Sequence, residues 1–535
     1  MLQINLEKIS YQYESSQNPV FENISATVYE GDKIALIGAN GCGKTTLLKI
    51  IDGVFSPGSG TVTKKENLKT AFLMQENITQ GFEKAIEFLL SSEKELLDIY
   101  RKLQSADEAA KCELYSLYSE LGGFEIESEI EKKRDLFGFD ADFYEKNPEN
   151  FSGGEKVKLA LLKIIITNPD IILLDEPTNH LDTEAIIWLE NFVKNIDITT
   201  LIVSHDRKFI DSCVTSLWEL SHDSIRKISG NYSDYKSFSE KERAEKLKIY
   251  EEAKESIRKL KKTVAEKKVH AEKNEKFKPS RSVKKNGGLC KIDDGERKLV
   301  REQNIMKGAK ILEKRIEEIS RGIENLGINK KEGIKLILNS GNVKNRFVVK
   351  IDNISKTFGN KEVFANFSLT AENSEKIALT GKNGSGKSTL LKIIAGFIEA
   401  DSGEITIAPS AKVSYFAQEF DNLKKDDSII EAISPINTEK EKEARTILAC
   451  LNIKGDKVYQ KIRTLSAGEK SKVAITRMLV GNYDLLLLDE PMSHLEISSR
   501  EALENALLNY NGTVICVTHD RAFAEKFAAR IVVMG

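Results

Sequence analysis

The chain has no paired cysteines and no long apolar runs. Its six cysteines, at positions 42, 112, 213, 290, 450 and 516, include no C-x-x-C pair. This pattern disfavours zinc, iron–sulfur and disulfide frameworks and fits a reducing compartment. No apolar run approaches the roughly 20 residues needed to span a bilayer, and the N-terminal residues lack the basic and apolar regions of a secretory signal. We therefore expect a soluble, cytoplasmic protein.

One phosphate-binding pattern occurs twice. G-x-x-x-x-G-K-[ST] stands at residues 38–45 and 381–388, each time after an apolar strand-like run and before a helical one. The glycines permit a tight turn that aims backbone N–H groups and a helix N-terminus at an anion, while the lysine reaches the β- and γ-phosphates and the hydroxyl binds Mg²⁺. A single copy can be a structural glycine turn, but two copies in matching contexts predict two nucleoside triphosphate sites. The loop residues are Gly38, Asn40, Gly41, Gly43, Lys44, Thr45 and Thr46, and Gly381, Asn383, Gly384, Gly386, Lys387, Ser388 and Thr389.

The two loops belong to a longer internal repeat. The later landmarks recur in the same order and, with one exception, at the same spacing. They pair as Gln75 with Gln418, Ser152 with Ser466, Asp175 with Asp489, Glu176 with Glu490, and His205 with His519, and an aromatic residue, Tyr13 or Phe358, precedes each loop. The interval from the glutamine to the serine is 77 positions in the first copy and 48 in the second, so the first copy carries an insertion of 29 residues.

At these landmarks the chain resembles the ATP-binding-cassette (ABC) ATPases over roughly residues 1–238 and 346–535. The resemblance implies an α/β fold of two P-loop NTPase cassettes. The all-apolar runs before the acid pairs predict central strands of a mostly parallel sheet. Helices around residues 82–137 and 427–451 would form a smaller helical part, with the insertion as a short arm at about 90–135. The implied reaction converts ATP and water to ADP and phosphate.

The resemblance also implies roles for the landmark residues. Glu176 and Glu490 would orient or deprotonate the attacking water, and His205 and His519 would contact the γ-phosphate. Tyr13 and Phe358 would stack on the base, unless they are simply core residues. The Mg²⁺ ligands would be Thr45, Gln75 and Asp175 in one site, and Ser388, Gln418 and Asp489 in the other.

Two short segments would act across the interface between the cassettes. They are Ser152, Gly153, Gly154 and Glu155 in the first cassette, and Ser466, Ala467, Gly468 and Glu469 in the second. If the family geometry holds, each caps the γ-phosphate held by the other cassette, so Lys44 works with Ser466 and Lys387 with Ser152. Two ATP molecules would then form an intramolecular sandwich in a monomeric protein, and hydrolysis would release it.

The second cassette departs from the usual pattern at two places. Ala467 stands where the first cassette has Gly153, and residues 491–496 read Pro-Met-Ser-His-Leu-Glu where residues 177–182 read Pro-Thr-Asn-His-Leu-Asp. Both glutamates remain. We predict that both sites bind ATP but turn it over unequally.

The segment between the cassettes, residues 239–345, is strongly basic. It holds 30 Lys and Arg against 18 Asp and Glu, a net charge of +12, which leaves −14 on the rest of a chain whose total is −2. Two apolar heptad stripes flank a basic stretch that contains Arg281, Lys284 and Lys285, our candidates for RNA contacts. They predict an antiparallel helical hairpin whose arms of about 40 residues reach roughly 60 Å. A solvated coiled-coil spacer is the alternative.

Tandem cassettes joined by a long charged helical linker resemble the ABC-F family of ribosome-associated ATPases, and more closely its antibiotic-resistance, ribosome-protection branch. The resemblance implies binding to large-subunit rRNA in the exit site of the bacterial ribosome, with the linker beside P-site tRNA. It also implies protection against lincosamides, pleuromutilins and streptogramin A. A housekeeping translation factor of the same family is the first alternative. The ATPase subunit of an ABC transporter or a DNA-repair ATPase fits less well, because a basic hairpin has no obvious role in the former and the latter carry zinc-binding cysteines or longer coiled coils.

Overall fold

The computed structural model describes residues 1–14, 16, 18–74, 79, 81–179, 181–275, 294–325, 346–359, 361–417, 423–433, 438–493 and 495–534. The chain divides into two compact units, one formed by Met1–Asp234 with Ile334–Gly535 and the other by Tyr235–Gly333. The first unit contains both predicted cassettes, and the second contains most of the predicted linker.

The first cassette alternates strands and helices around its phosphate loop. Its elements are β1 Leu2–Tyr11, β2 Phe21–Tyr29, β3 Lys33–Ile37, α1 Lys44–Asp52, β4 Ser59–Lys64, β5 Thr70–Leu73, α2 Ala85–Leu90, α3 Lys94–Ser105, α4 Glu108–Glu120, α5 Gly123–Phe137, α6 Gly153–Ile166, β6 Ile171–Asp175, α7 Thr183–Asn195, β7 Thr199–Val203, α8 Arg207–Cys213, β8 Ser216–Leu220 and β9 Ile225–Ser229. The range 90–135, where the insertion is predicted, contains α3, α4 and most of α5, with Tyr118 of α4 buried.

The core sheet of the first cassette has the order β5-β6-β7-β3-β8-β9. Its strands are parallel except for β9, which runs antiparallel to β8. Every residue of β6 and β7 is buried, as expected for a parallel sheet covered on both faces. The phosphate loop follows the carboxyl end of β3, and the acid pair Asp175–Glu176 stands at the carboxyl end of β6. Because these strands are parallel members of one sheet, the loop and the acid pair lie at the same edge of it. A smaller antiparallel sheet, β2-β1-β4, packs beside it.

Two long helices make up the described part of the linker, α9 Tyr232–Glu275 and α10 Asp294–Asn325. With 44 residues, α9 is about 66 Å long. Val264 is buried within it, and a Cβ placed at Gly308 of α10 would lie 3.1 Å from Nζ of Lys267, so the two helices are neighbours at this point. Arg281, Lys284 and Lys285, predicted at the tip, lie outside the described residues.

The start of α9 differs from the linker boundary predicted at residue 239. The helix begins at Tyr232 because Asn231 caps it: Oδ1 of Asn231 accepts from the N–H of Asp234, and Oδ2 of Asp234 accepts from the N–H of Asn231, both at 3.1 Å. Such reciprocal capping satisfies N–H groups that a helix leaves unpaired. The first turn of the long helix therefore belongs to the cassette unit.

The second cassette repeats the order of the first. Its elements are β10 Phe347–Phe358, β11 Lys361–Glu372, β12 Lys376–Gly381, α11 Lys387–Ile394, β13 Ser402–Ile407, β14 Val413–Phe416, α12 Ile429–Ile433, α13 Thr438–Cys450, α14 Ala467–Val480, β15 Leu485–Asp489, α15 Ile497–Leu508, β16 Thr513–Val517, α16 Arg521–Phe527 and β17 Arg530–Met534. The core sheet, β14-β15-β16-β12-β17, is parallel throughout, and β11-β10-β13 form the smaller antiparallel sheet. The two cassettes thus share the predicted α/β fold. Within the described parts of the chain, every helix is too short or too polar to cross a membrane.

Candidate nucleotide sites at the cassette interface

Both phosphate loops adopt a left-handed turn that only glycine fits. Gly43 and Gly386, each directly before a helix, have φ of 96° and 88°. A Cβ at Gly43 would lie 2.5 Å from Val20, and one at Gly386 would lie 2.5 Å from Val363. Glycine is therefore required at both positions, because of the backbone conformation and because a side chain has no room. This glycine brings the first turn of α1 and of α11 close to the loop, where the N–H groups can face an anion.

The loop lysines are buried and point back into their own loops. Nζ of Lys44 donates to the carbonyls of Gly38 and Ala39 at 3.0 and 3.1 Å, and Nζ of Lys387 donates to those of Gly381 and Lys382 at 2.9 and 2.6 Å. Both residues are less than a tenth exposed. Each ammonium is thus held inside the concave loop, in reach of phosphate oxygens that the loop would enclose.

The predicted metal ligands that the structure describes lie next to each other in both sites. Oγ of Ser388 donates to Oδ1 of Asp489 at 3.0 Å, and Thr45 makes the corresponding hydrogen bond to Asp175. Burial raises the pKa of both aspartates, although the hydrogen bond from Thr45 or Ser388 acts in the opposite direction. This oxygen donor set fits Mg²⁺, which would neutralise phosphate charge when bound. Gln75 and Gln418, the other predicted ligands, lie outside the described residues.

The two candidate water-activating glutamates follow these aspartates in a strained backbone conformation. Glu176 and Glu490 have φ of 50° and 48°, a left-handed geometry that is costly for a residue with a Cβ. The conformation turns each side chain towards a histidine. Oε1 of Glu176 lies 3.2 Å from Nε2 of His205, and Oε1 of Glu490 lies 3.1 Å from Nε2 of His519. The structure thus brings together the pairs that the sequence placed 29 positions apart.

The environments of the two glutamates differ. Burial raises the pKa of Glu176 to about 7 and lowers the pKa of His205 to about 3. Among the described residues, Oε2 of Glu176 and Nδ1 of both histidines have no hydrogen-bond partner. Burial also tends to raise the pKa of Glu490, but hydrogen bonds from His519 and from Oγ of Ser493, at 3.0 Å, hold it below its usual range. Ser493 is one of the residues in which the second cassette departs from the first.

The aromatic residues predicted to stack on a base have different surroundings. Oη of Tyr13 and Oγ1 of Thr46 share a hydrogen bond of 2.7 Å, and the Tyr13 ring meets Tyr11 edge-on. Phe358 is half exposed, with the Lys356 ammonium 5.4 Å from its ring centre. Both rings are thus on the surface rather than in the core, and stacking stays a prediction for both.

The serines predicted to cap a γ-phosphate are engaged as helix caps. Oγ of Ser152 donates to Oε2 of Glu155 at 2.7 Å, and Oγ of Ser466 donates to Oε2 of Glu469 at 2.9 Å. The same carboxylates accept from the serine N–H groups, which completes a capping box at the start of α6 and of α14. The capping box does not use the N–H groups of Gly153 and Gly154 in α6 or of Ala467 and Gly468 in α14, so these groups can face a ligand.

One cavity of about 950 Å³ joins the first phosphate loop to the second cassette. Its walls include Lys44, Glu176 and His205 from one side, and Ser466 and Gly468 from the other. This volume is in the range of small-molecule sites. The predicted partnership of Lys44 with Ser466 therefore has a shared space in the structure.

An acidic residue from each cassette reaches the phosphate loop of the other. Oε2 of Glu496 accepts from the N–H of Asn40 at 3.2 Å, and Oδ2 of Asp182 lies 3.5 Å from the N–H of Asn383. Asn40 and Asn383, predicted to face the nucleotide, thus also contact the opposite cassette. At the second loop, Lys382 also pairs with Glu184 of the first cassette at 3.2 Å. The partnership of Lys387 with Ser152 stays a prediction.

The interface also contains arginines that sequence analysis missed. Nη1 of Arg207 lies 2.9 Å from Oε1 of Glu504, and Arg521 pairs with Glu190 in the reverse direction. Each arginine stands two residues after a candidate catalytic histidine. The sequence did contain a signal for them. The two arginines are separated by 314 positions, as are the two glutamates, and this is the separation of the repeat landmarks Asp175 and Asp489.

Comparisons with known proteins agree with this geometry. The ABC transporter family profile matches residues 21–179 and 364–493. ABC transporter F family member 2 of Arabidopsis thaliana is 33% identical over 551 residues, covering 99% of this chain and 76% of the relative. Ribosome protection protein VmlR of Bacillus subtilis is 29% identical over 530 residues, covering 98% of this chain and 85% of the relative. The archaeal ribosome recycling factor aABCE1, solved in complex with the ribosomal stalk protein aP1, has the same fold, with a TM-score of 0.59, 18% identity, and coverage of 98% of this chain and 87% of that one. The chain is therefore an ATPase that belongs to the F family of ATP-binding-cassette proteins.

Proposed function

We propose that this protein is an ATP-dependent ribosome-binding factor that protects the peptidyl-transferase centre from antibiotics. The linker binds beside P-site tRNA from the exit site of the bacterial ribosome, and ATP hydrolysis releases the protein. The single observation that carries the proposal is the net charge of +12 in the segment between the cassettes, residues 239–345, of which the structure describes two helices. The protein would work in the cytoplasm as a monomer with two ATP and two Mg²⁺ ions between its cassettes.

The charge distribution supports a polyanion as the partner. The net charge of +12 in residues 239–345 stands against −14 in the rest of the chain. Double-stranded RNA is recognised mainly through phosphates and shape, which suits cations spaced along a rod. On α9, Lys261 and Lys262 are exposed, so their charges are available to a partner. A spacer between domains needs no such excess of one sign.

The base of α9 is attached to the helix that follows a candidate catalytic histidine. Oδ1 of Asp211, on α8, accepts from the N–H of Ser233 at 2.8 Å, and Oδ2 accepts from its Oγ at 2.6 Å. α8 begins at Arg207, directly after His205 and Asp206, and Arg207 pairs with the other cassette. A change in the interface can therefore reach the first turn of the linker helix through one short element, which supports ATP-dependent control of ribosome binding.

The comparisons support the ribosome as the binding partner, but they are compatible with two candidate roles. VmlR is named a ribosome protection protein, and its similarity extends over nearly the whole of this chain. The plant relative is slightly more similar, with 33% identity over 99% of this chain. A housekeeping translation factor is therefore the second candidate, because similarity alone does not single out the resistance branch. If the protein has the first role, protection of the ribosome, we propose that the drugs are lincosamides, pleuromutilins and streptogramin A.

Ribosome binding is tested by sedimentation. The double variant Glu176→Gln, Glu490→Gln should pellet with ribosomes in ATP, because both interfaces stay closed, and should stay in the supernatant in ADP. Reversing two linker charges, Lys261→Glu with Lys262→Glu, should weaken binding and flatten its salt dependence. The matched control reverses Lys65 and Lys69, two exposed lysines of the first cassette. Sedimentation of the ATP-trapped variant apart from ribosomes would refute the proposal.

Protection is tested separately. Expression in a susceptible bacterium should raise the inhibitory concentrations of the three drug classes, and the Glu176→Gln, Glu490→Gln variant should not confer this protection. If the protein binds ribosomes and leaves all three concentrations unchanged, the housekeeping role is the correct one.

A further inference from the structure

The second cassette contributes a buried arginine to the first nucleotide site. Arg500, in the first turn of α15, is 9% exposed. Its Nε donates to the carbonyl of Leu495 at 2.9 Å, within its own cassette, and its Nη1 donates to the carbonyl of His205 at 2.9 Å, in the other cassette. Arg500 also lines the cavity that contains Lys44 and Glu176. A guanidinium from one cassette thus holds the backbone of the candidate catalytic histidine in the other.

Among the described residues, the position of the first cassette that matches Arg500 carries no charged group. The residue 314 positions earlier, at the matching point of α7, is Ile186, which is 2% exposed and apolar. An isoleucine side chain cannot donate a hydrogen bond to the backbone of His519. The two sites therefore differ in a residue supplied from across the interface, in addition to the difference at Ser493.

The contact with His205 bears directly on the catalytic geometry. His205 lies between β7 and α8, where Asp206 caps the helix by accepting from the N–H of Phe209 at 3.0 Å. The N–H of Glu176 donates to the carbonyl of Val203 at 2.8 Å, so the backbone of both residues is fixed within the first cassette. The carbonyl of His205 is fixed from outside it, by Arg500. Because this bond spans the interface, it exists only while the cassettes are together.

We propose that Arg500 is a positioning residue, supplied in trans, for ATP hydrolysis at the first site. It holds His205 against Glu176 in the closed state and so links hydrolysis there to closure, whereas the second site works without such a link. The inference rests on the catalytic roles proposed for Glu176 and His205.

The test measures each site alone. In a Glu490→Gln background, which leaves only the first site active, Arg500→Ile should lower the single-turnover rate about 10- to 100-fold, the range expected for loss of a charge-assisted hydrogen bond. The ATP concentration for half-maximal rate should change less than about threefold, because the phosphate loop is intact. Arg500→Lys, which keeps one donor and the charge, should recover part of the rate.

The matched control is Arg500→Ile in a Glu176→Gln background, where only the second site is active and the rate should change less than about twofold. An equal loss at both sites, a change confined to the half-maximal ATP concentration, or a first-site loss under twofold would each overturn the proposal, since a merely structural arginine gives one of these results. Full turnover by the Glu176→Gln, Glu490→Gln protein would instead refute the proposed catalytic glutamates, and this outcome is distinct from failure at Arg500.

Discussion

The reciprocal ion pairs between the cassettes should control closure. Arg207 pairs with Glu504, and Arg521 pairs with Glu190 in the opposite direction. The Glu504 side chain is 2% exposed and that of Arg207 is 11% exposed. One amino acid away, Lys208 pairs with Glu525 across the same interface at 2.5 Å, but these side chains are 34% and 63% exposed. The chain therefore offers a buried pair and an exposed pair at almost the same place.

The buried pair should contribute far more than the exposed one. Removing one partner of a buried pair costs about 3–5 kcal/mol, because the other charge stays desolvated. For Arg207→Ala we expect about 2–3 kcal/mol, because Nζ of Lys526, 3.5 Å from Oε2 of Glu504, remains as a substitute cation. The ratio of closed to open protein should then fall about 30- to 150-fold. For Lys208→Ala we expect at most about 1 kcal/mol.

The assay is a double-mutant cycle on closure. Dyes on exposed surfaces of the two cassettes would report closure by energy transfer as ATP is added to protein in which Glu176 and Glu490 are both replaced by glutamine. We expect a coupling energy of about 2 kcal/mol between Arg207 and Glu504 and less than about 0.5 kcal/mol between Lys208 and Glu525. If the two coupling energies are equal, burial of the pair does not decide its contribution and the reasoning fails.

The different surroundings of Glu176 and Glu490 predict unequal turnover at the two sites. Oε2 of Glu176 is free to accept from water, while Oε2 of Glu490 is held by Ser493. The Glu490→Gln variant, in which only the first site is active, should therefore have a faster single-turnover rate than the Glu176→Gln variant, and equal rates would contradict this. A second prediction concerns Lys163 of α6, whose Nζ lies 4.5 Å from the ring centre of Phe88 and donates to Ser91. Burial lowers its pKa to about 8, so between pH 8 and about 10.5 the unfolded chain binds more protons and stability should rise with pH. Lys163→Met should raise the free energy of unfolding at pH 7 by about 1–2 kcal/mol, allowing for partial solvent screening, and should abolish that rise; denaturant melts at pH 7 and 10 check both.

Sequence reasoning predicted the fold because the fold depends on local patterns. The glycines at 43 and 386 specify the left-handed turn, and the apolar runs that end at Asp175 and Asp489 specify buried parallel strands. The family comparison confirmed that both copies are ABC cassettes. These features lie within short segments, so a linear reading is sufficient.

The contacts between the cassettes could not be predicted in the same way. Arg500 and Arg207 act on residues about 295 and 297 positions away, and charged residues on helices are usually solvated. Composition also did not reveal the first residue of α9, because a capping pair such as Asn231 with Asp234 determines where a helix begins more sharply than composition does. The internal repeat relates each position of the first cassette to the position 314 residues later. Identical residues at related positions, such as Arg207 with Arg521 and Glu190 with Glu504, were the one sign of the interface in the sequence.

The left-handed backbone at Glu176 and Glu490 has a consequence for mutational tolerance. A residue with a Cβ at such an angle costs of order 1 kcal/mol or more, whereas glycine and, to a lesser extent, asparagine adopt it with little strain. A chain selected only for thermostability is therefore expected to exchange these two positions early, and it would lose the two carboxylates proposed for hydrolysis while its fold becomes more stable. Keeping a glutamate at both positions therefore costs this chain some stability of the fold.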